Sequence, residues 1–296
     1  PTLRASTQNN YENVIHNHVL PEIGKIPLNK LSQNDLQQFY GRLKKSGRKR
    51  LTEQYGAGLS DRMARMCHAV CRSALERAVR DDLLRTNPAI GCKLPPKKAK
   101  EMQVLDREEL QKFLIQAQAD GYYELFLLDL CTGLRRGELL GLKWSDIDLE
   151  KGDLRVQRQI GRIDGKIIEM PLKTKNAYRT LPLSADAIDV LVQQRRKTGN
   201  SEWVFPSPTG GPMSPDSVLH MLHRVLKRAG LPKVRFHDLR HTFATLALQN
   251  GVDIKTVSGM LGHFSAGFTL DTYAHVTTSA KREAAKTMGN ILSGAV

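Results

Sequence analysis

Acidic residues are in short supply in this chain. Its 296 residues hold 30 Asp and Glu against 45 Lys and Arg, a formal net charge of +15 and a pI near 9.8, which favours an anionic partner. Cysteine is equally sparse. The four present, Cys67, Cys71, Cys92 and Cys131, form no CxxC pair, which excludes a disulfide framework or a zinc ribbon and reads as free thiols of a reducing compartment. No apolar run approaches the length of a membrane span and no signal peptide is visible, so the expected setting is cytoplasmic. No P-loop pattern, internal repeat or low-complexity tract is found.

What is present is unevenly placed. Residues 1–100 carry 19 Lys and Arg against 8 Asp and Glu, a net of +11, while the remainder carries 26 against 22, a net of +4. The first third is therefore the expected electrostatic clamp. It reads as helical. Thr7 to Leu20 has helical apolar spacing, with Thr7 as the starting cap and Pro21 and Gly24 marking the end; Ser32 to Leu43 begins on a Ser cap; Ser60 to Leu84 is long and amphipathic. Candidate phosphate contacts are Lys44, Lys45, Arg48, Lys49 and Arg50 in a basic loop, and Arg62, Arg65 and Arg72 on the polar face of the long helix. Pro95-Pro96-Lys97-Lys98 reads as a linker, in which Lys97 and Lys98 either strap phosphates or are simply solvated. The expected organisation is 1–90 as a helical domain, 91–104 as linker and 105–296 as a second, larger domain with a tail at 281–296.

In the larger part, Asp106 to Ala119 and Tyr122 to Cys131 read as helices. Asp153 to Ile160, Lys166 to Met170 and Thr180 to Leu183 read as strands of one small antiparallel sheet. Helices are expected over 184–196, 214–229, 237–250, 253–261 and 266–273. The fold class is mainly α with a small antiparallel β-sheet, in two domains.

The chemistry-bearing residues cluster late. Thr132-Gly133-Leu134-Arg135-Arg136-Gly137-Glu138 places an arginine at a helix start, where backbone N–H groups also favour anions, and Glu138 can buttress it. Spacing alone does not choose between Arg135 and Arg136. Lys173, read as sitting at a hairpin tip, can reach into a groove. His237 and Arg240 stand at i and i+3 on one helix face. His241, at i+4 from His237, invites a zinc reading. However, Asp238 replaces the Glu of HExxH and Arg240 would set a fixed charge beside the cation, so His241 is read as a locally packed helix residue and no metal is expected. His263 follows Gly262, and Tyr273 precedes Ala274-His275. Arginine forks hold phosphate oxygens, histidine moves protons near neutral pH, and a tyrosine hydroxyl can form a covalent intermediate.

Together these motifs resemble the tyrosine recombinase family of phage-type integrases, in the style of phage and conjugative-transposon integrases. The boxes are Arg135 after Thr132-Gly133 with Glu138, then Lys173, His237-x-x-Arg240, Leu261-Gly262-His263 and Tyr273-x-His275. The resemblance covers nearly the whole chain. It implies a two-domain DNA clamp, with a core-binding domain followed by a mixed α/β catalytic domain. It also implies Tyr273 as nucleophile on a DNA phosphate, forming a 3′-phosphotyrosyl link. Arg135 and Arg240 would hold the non-bridging oxygens, Lys173 would protonate the leaving 5′-oxygen, His237 would assist proton transfer to or from the tyrosine, and His263 would donate to the phosphate. No cofactor is implied. The implied partners are double-stranded DNA and three further copies around a Holliday junction, with an accessory bending or excision factor; alone the chain would be a monomer or weak oligomer. The chain begins at Pro1 rather than Met; many integrases of the kind it resembles carry an extra arm-binding domain upstream, and this chain is expected to be a fragment without one. The tail 281–296 is expected to dock either on a neighbouring protomer or on its own domain. Rival readings are a type IB topoisomerase, a DNA-binding protein with a silent catalytic half, and a zinc hydrolase.

Overall fold

The computed structural model describes residues 3–96 and 102–273, with residues 285, 288, 289 and 293 beyond them; Lys97, Lys98, Ala274, His275 and nearly all of the 281–296 tail lie outside the described residues. The chain divides into two compact units, 1–100 and 101–296, each with its own apolar core.

The first unit is helical. Helix α1 (Ala5–Val14) passes through a single π-helical turn, Ile15–Val19, into α2 (Leu20–Ile23). Thr7 is thus inside the helix and Pro21 does not end it, contrary to the sequence reading. Proline removes one N–H and crowds the carbonyl four residues back, and the widened π turn relieves that crowding and carries the helix past it. Helix α3 (Gln33–Ser46) starts where Ser32 accepts from the Asp35 N–H and Asp35 accepts from the Ser32 N–H, a reciprocal cap. After α4 (Thr52–Tyr55), the long α5 (Asp61–Arg80) is capped by Ser60. Leu36, Phe39, Tyr40 and Leu43 of α3 bury against Cys67, Val70, Cys71 and Leu75 of α5. Burial pushes the Cys67 and Cys71 thiols up to about 11 and about 12, so both stay protonated and unreactive. On the polar side Lys45, Lys49, Arg50, Arg62 and Arg72 are exposed. Lys44 is tied to Asp61 at 2.5 Å, Arg65 donates to the Pro95 carbonyl at 2.8 Å, and Arg48 lies over the Tyr55 ring.

The second unit opens with α6 (Arg107–Ala119), α7 (Tyr123–Thr132) and the short α8 (Arg136–Leu140). The strands are β1 (Ile147–Asp148), β2 (Asp153–Val156), β3 (Arg158–Ile163), β4 (Lys166–Pro171) and β5 (Arg179–Pro182). They form two sheets, not the one expected: β1-β2-β5 and β3-β4, all antiparallel. The run read as one strand from Asp153 breaks at Gln157, and the β3–β4 hairpin is an excursion between two neighbours of the other sheet. Its tip is Asp164-Gly165, both at positive φ, the backbone that a two-residue hairpin turn demands. Lys173 is therefore not at a hairpin tip but exposed on the connector that returns from β4 to β5. Helices α9 (Ala185–Thr198), α10 (Pro215–Arg228), α11 (Phe236–Gln249), α12 (Ile254–Leu261) and α13 (Ala266–Thr272) complete the unit. Leu128 of α7, Val156 of β2, Leu191 of α9, Leu222 of α10 and Leu239 of α11 share its core. Among the described residues no helix is long and apolar enough to cross a membrane.

Several buried polar residues interrupt the apolar pattern, Asp129 among them. Asp129 of α7 is fully buried and neither carboxylate oxygen has a hydrogen-bond partner among the described residues. Burial raises its pKa well above the usual carboxylate range, against the pull of Arg240. A folded-state pKa above the unfolded one means stability that is full below about pH 4 and lost as pH rises. Asp129→Asn is therefore expected to be more stable than wild type at pH 7, by on the order of 1–3 kcal/mol, with the advantage fading towards about pH 4. Urea melts at both pH values check this; a less stable Asn variant at pH 7 would mean Asp129 is ionised as a counter-charge for Arg240.

Candidate active site

Two helix ends converge on two arginines. Helix α7 stops at Gly133 and α12 at Gly262, both left-handed, at φ 60° and 62°. Neither position has room for a side chain. A Cβ at Gly133 would lie 2.4 Å from the Phe243 ring, and one at Gly262 would lie 2.9 Å from the Asn176 carbonyl oxygen. The final carbonyls point at guanidinium groups: Arg240 donates from Nη1 to Gly133 O at 2.8 Å and from Nη2 to Leu261 O at 2.6 Å, and Arg135 donates from Nη2 to Gly262 O at 3.1 Å. The negative ends of two helix dipoles thus hold two cations close together. Arg240 is only 2% exposed, and burial, then Arg135, lowers its pKa to about 9, leaving it charged at neutral pH.

Glu138 ties the arrangement together. It is 2% exposed and accepts from Arg135 Nη1 at 2.7 Å and from Arg179 Nη2 at 2.9 Å. Burial alone would raise its pKa, but Arg179 and Arg135 outweigh that and hold it low. Arg179 also donates to the Met260 carbonyl at 2.6 Å, joining β5 to the end of α12. The sequence reading missed Arg179; its signal was an arginine just after the Lys173 turn. Arg136, the alternative to Arg135, instead donates to the Pro215 carbonyl.

Three imidazoles surround the arginines. His237 lines an open cleft of about 630 Å³ together with Arg135, Arg136, His223, Lys233 and Arg235. Lys233, Arg235 and His223 were also missed, although Lys233 and Arg235 directly precede the His-x-x-Arg box. Arg235 is anchored to Asp238 at 2.6 Å. His263 bonds Thr269 Oγ1 through Nδ1 at 2.7 Å and sets its ring against Phe268. Burial, with the neighbouring charged groups, lowers His237 to about 4 and His263 to about 3, so both are neutral at pH 7.

Tyr273, at the end of α13, is 1% exposed and packs with Ala244, Leu248, Val257 and Leu261. Burial raises its pKa to about 12, opposed by Arg240. Its hydroxyl meets His241 Nδ1 at 2.8 Å. His241, read from sequence as a locally packed residue, is the imidazole at the tyrosine, and the His237 ring stands edge-on to it at 4.8 Å. Lys173 lies three residues before Asn176, whose amide reaches the Phe264 carbonyl, so its connector touches the segment carrying His263. Among the described residues no group of three or more His, Cys, Asp or Glu is placed to hold a metal ion. A buried tyrosine within electrostatic reach of Arg240, with a neutral imidazole at its hydroxyl, suits attack on a phosphate diester, with charge developing against the arginines.

Comparison with known proteins identifies the family. Residues 103–280 match the phage integrase family and residues 1–44 match the phage integrase N-terminal SAM-like domain. A tyrosine recombinase XerC-like protein of Caldanaerobacter subterraneus is 31% identical, over 98% of this chain and 78% of its own. The fold is similar to that of the Tn1549 transposon integrase solved with a circular intermediate DNA, with a TM-score of 0.81 at 22% identity, covering 97% of this chain and 95% of that one. It is similar also to lambda integrase in a tetramer bound to a Holliday junction, with a TM-score of 0.67 at 21% identity, covering 89% and 73%. The chain belongs to the phage integrase family and is a tyrosine-type site-specific DNA recombinase.

Proposed function

We propose that Tyr273 attacks a DNA phosphate to form a 3′-phosphotyrosyl link and release a 5′-hydroxyl. Arg135 and Arg240 hold the non-bridging oxygens, His263 donates to the same phosphate, and His237 faces it from the cleft. Lys173 protonates the departing 5′-oxygen. The observation that carries this reading is the pair of guanidiniums pinned by the carbonyls of Gly133, Leu261 and Gly262, with the buried Tyr273 hydroxyl close enough to feel the charge of Arg240. Fixed donors of this kind cost no reorganisation as charge develops. The covalent bond conserves the phosphodiester energy, so rejoining needs no nucleotide.

In this reading residues 1–90 form the core-binding half of a clamp, 91–104 the linker and 105–296 the catalytic half. Four copies act through a Holliday junction to integrate or excise a mobile element, with an accessory bending or excision factor, on the DNA of a bacterial cytoplasm. The lambda integrase tetramer on a Holliday junction and the Tn1549 integrase on its circular intermediate support it. The test is covalent capture: incubation with randomly nicked DNA from the source cell in EDTA, denaturation, and recovery of DNA linked to protein. A 3′-linked adduct is expected and its trapped ends name the site; tight binding without any adduct would leave only a DNA-binding protein.

Binding itself should be steeply salt-dependent. The exposed cations Lys45, Lys49, Arg50, Arg62 and Arg72 would neutralise about five phosphates, giving a slope of log affinity on log salt near −4.5. That corresponds to a roughly 500-fold loss between about 50 and about 200 mM salt. Filter binding over that range measures it, and Arg62→Ala should reduce the slope by about 1. A flat response would remove this face from the DNA interface.

A further inference from the structure

We propose that His241 takes the proton of the Tyr273 hydroxyl as the tyrosine attacks, and returns it when the tyrosine leaves. The inference rests on the reading of Tyr273 as nucleophile. It departs from the motif-based expectation, which gave that proton to His237.

Geometry separates the two imidazoles. His237 and His241 stand one helical turn apart on α11. His237 lines the cleft beside Arg135, on the side where a phosphate would enter. His241 is not part of that cleft lining and meets the Tyr273 hydroxyl at 2.8 Å, within the distance a proton acceptor needs. Tyr273 is 1% exposed, so bulk water is a poor competitor for the proton. The groups around His241 are Asp238, Arg235, Arg240 and His237 on its own helix, His263 beyond α12, and Tyr273 itself. Burial holds the His241 pKa below the usual imidazole range, leaving a neutral ring with a lone pair at pH 7.

The step balances without any other reactant. The Tyr273 O–H bond breaks and its proton passes to His241 Nδ1 as the phenolic oxygen bonds to phosphorus. The bond from phosphorus to the 5′-oxygen breaks, and that oxygen takes a proton from the general acid. On rejoining, the 5′-hydroxyl returns its proton to Lys173, the general acid of the forward step, as its oxygen bonds to phosphorus; the phosphorus–tyrosine bond breaks, and the imidazolium returns its proton to the phenolic oxygen. The tyrosine's raised pKa means transfer accompanies bond formation, because a free phenolate would be too costly in this buried setting.

The test uses a nicked duplex carrying the end sequence recovered from trapped adducts, with wild type, His241→Asn and Tyr273→Phe compared in single-turnover cleavage from about pH 5 to about pH 9. Asparagine keeps a hydrogen-bond acceptor near the Nδ1 position but cannot take a proton. The wild-type rate should rise through the His241 pKa and then level. The Asn variant should be roughly 10²–10⁴-fold slower at pH 7 and keep climbing with pH as hydroxide takes over. Wild-type rates in the Asn variant, or a loss equal at every pH with the profile unchanged, would overturn the proposal and leave His241 a prop. Partial unfolding lowers the amplitude of cleavage, not its pH dependence, so the rate constants still decide. Adduct formation by Tyr273→Phe would instead overturn the nucleophile reading.

Discussion

Tyr273→Phe is expected to fold, bind DNA and form no covalent adduct, a loss of at least roughly 10⁴-fold in attachment. The ring packs among Ala244, Leu248, Val257 and Leu261, and phenylalanine preserves that packing. What disappears is one hydrogen bond to His241, worth about 1 kcal/mol to stability. The fold should therefore survive the change and the chemistry should not. A denaturing gel with labelled nicked DNA reads the adduct, and a thermal melt alongside confirms folding. Adduct of wild-type abundance in the Phe variant would move the nucleophile elsewhere, and the site described above would lose its purpose.

Arg240→Lys is expected to cut the cleavage rate by roughly 10²–10³-fold and to destabilise the unit by about 2–4 kcal/mol. Charge is kept, so a purely electrostatic role would predict a small effect. The guanidinium does more than carry charge. It spends Nη1 on Gly133 O and Nη2 on Leu261 O, joining the ends of α7 and α12, and its planar fork still has further N–H donors to offer an anion. An ammonium at the end of a flexible stem cannot bridge both carbonyls and also meet a phosphate oxygen. One carbonyl would be left buried and unpaired. Single-turnover rates and urea melts test both halves of this expectation. A lysine variant within about threefold of wild type would show that charge alone suffices.

Much of the local structure was legible because its causes are local. Ser32, Ser60, Asp106, Ser184, Ser214 and Asp253 each accept from an N–H two or three residues ahead, so each helix start is written within a few letters of sequence. Pro21 misled because a π turn, a matter of backbone adjustment over a whole segment, lets a helix absorb it. The strands were recognised by their alternation, but alternation does not name a partner. Pairing of Leu154 with Leu181 across the β3–β4 excursion depends on which faces the helices leave to be covered.

For the site, the sequence by itself determined the inventory: two arginines, a lysine, the histidines, Glu138 and Tyr273, in an order and spacing that identify the family, and a basic excess that calls for an anion. Only the tertiary structure decided which groups touch. Arg240 finds carbonyls 107 and 21 positions away, Glu138 is shared with Arg179 from a strand 41 positions on, and the tyrosine hydroxyl chooses His241 over His237. The reason is physical. His237 and His241 share one helix face and are equivalent at the level of periodicity. Their environments diverge only when α12 and α13 fold back over α11, burying one imidazole against the tyrosine and leaving the other at the cleft.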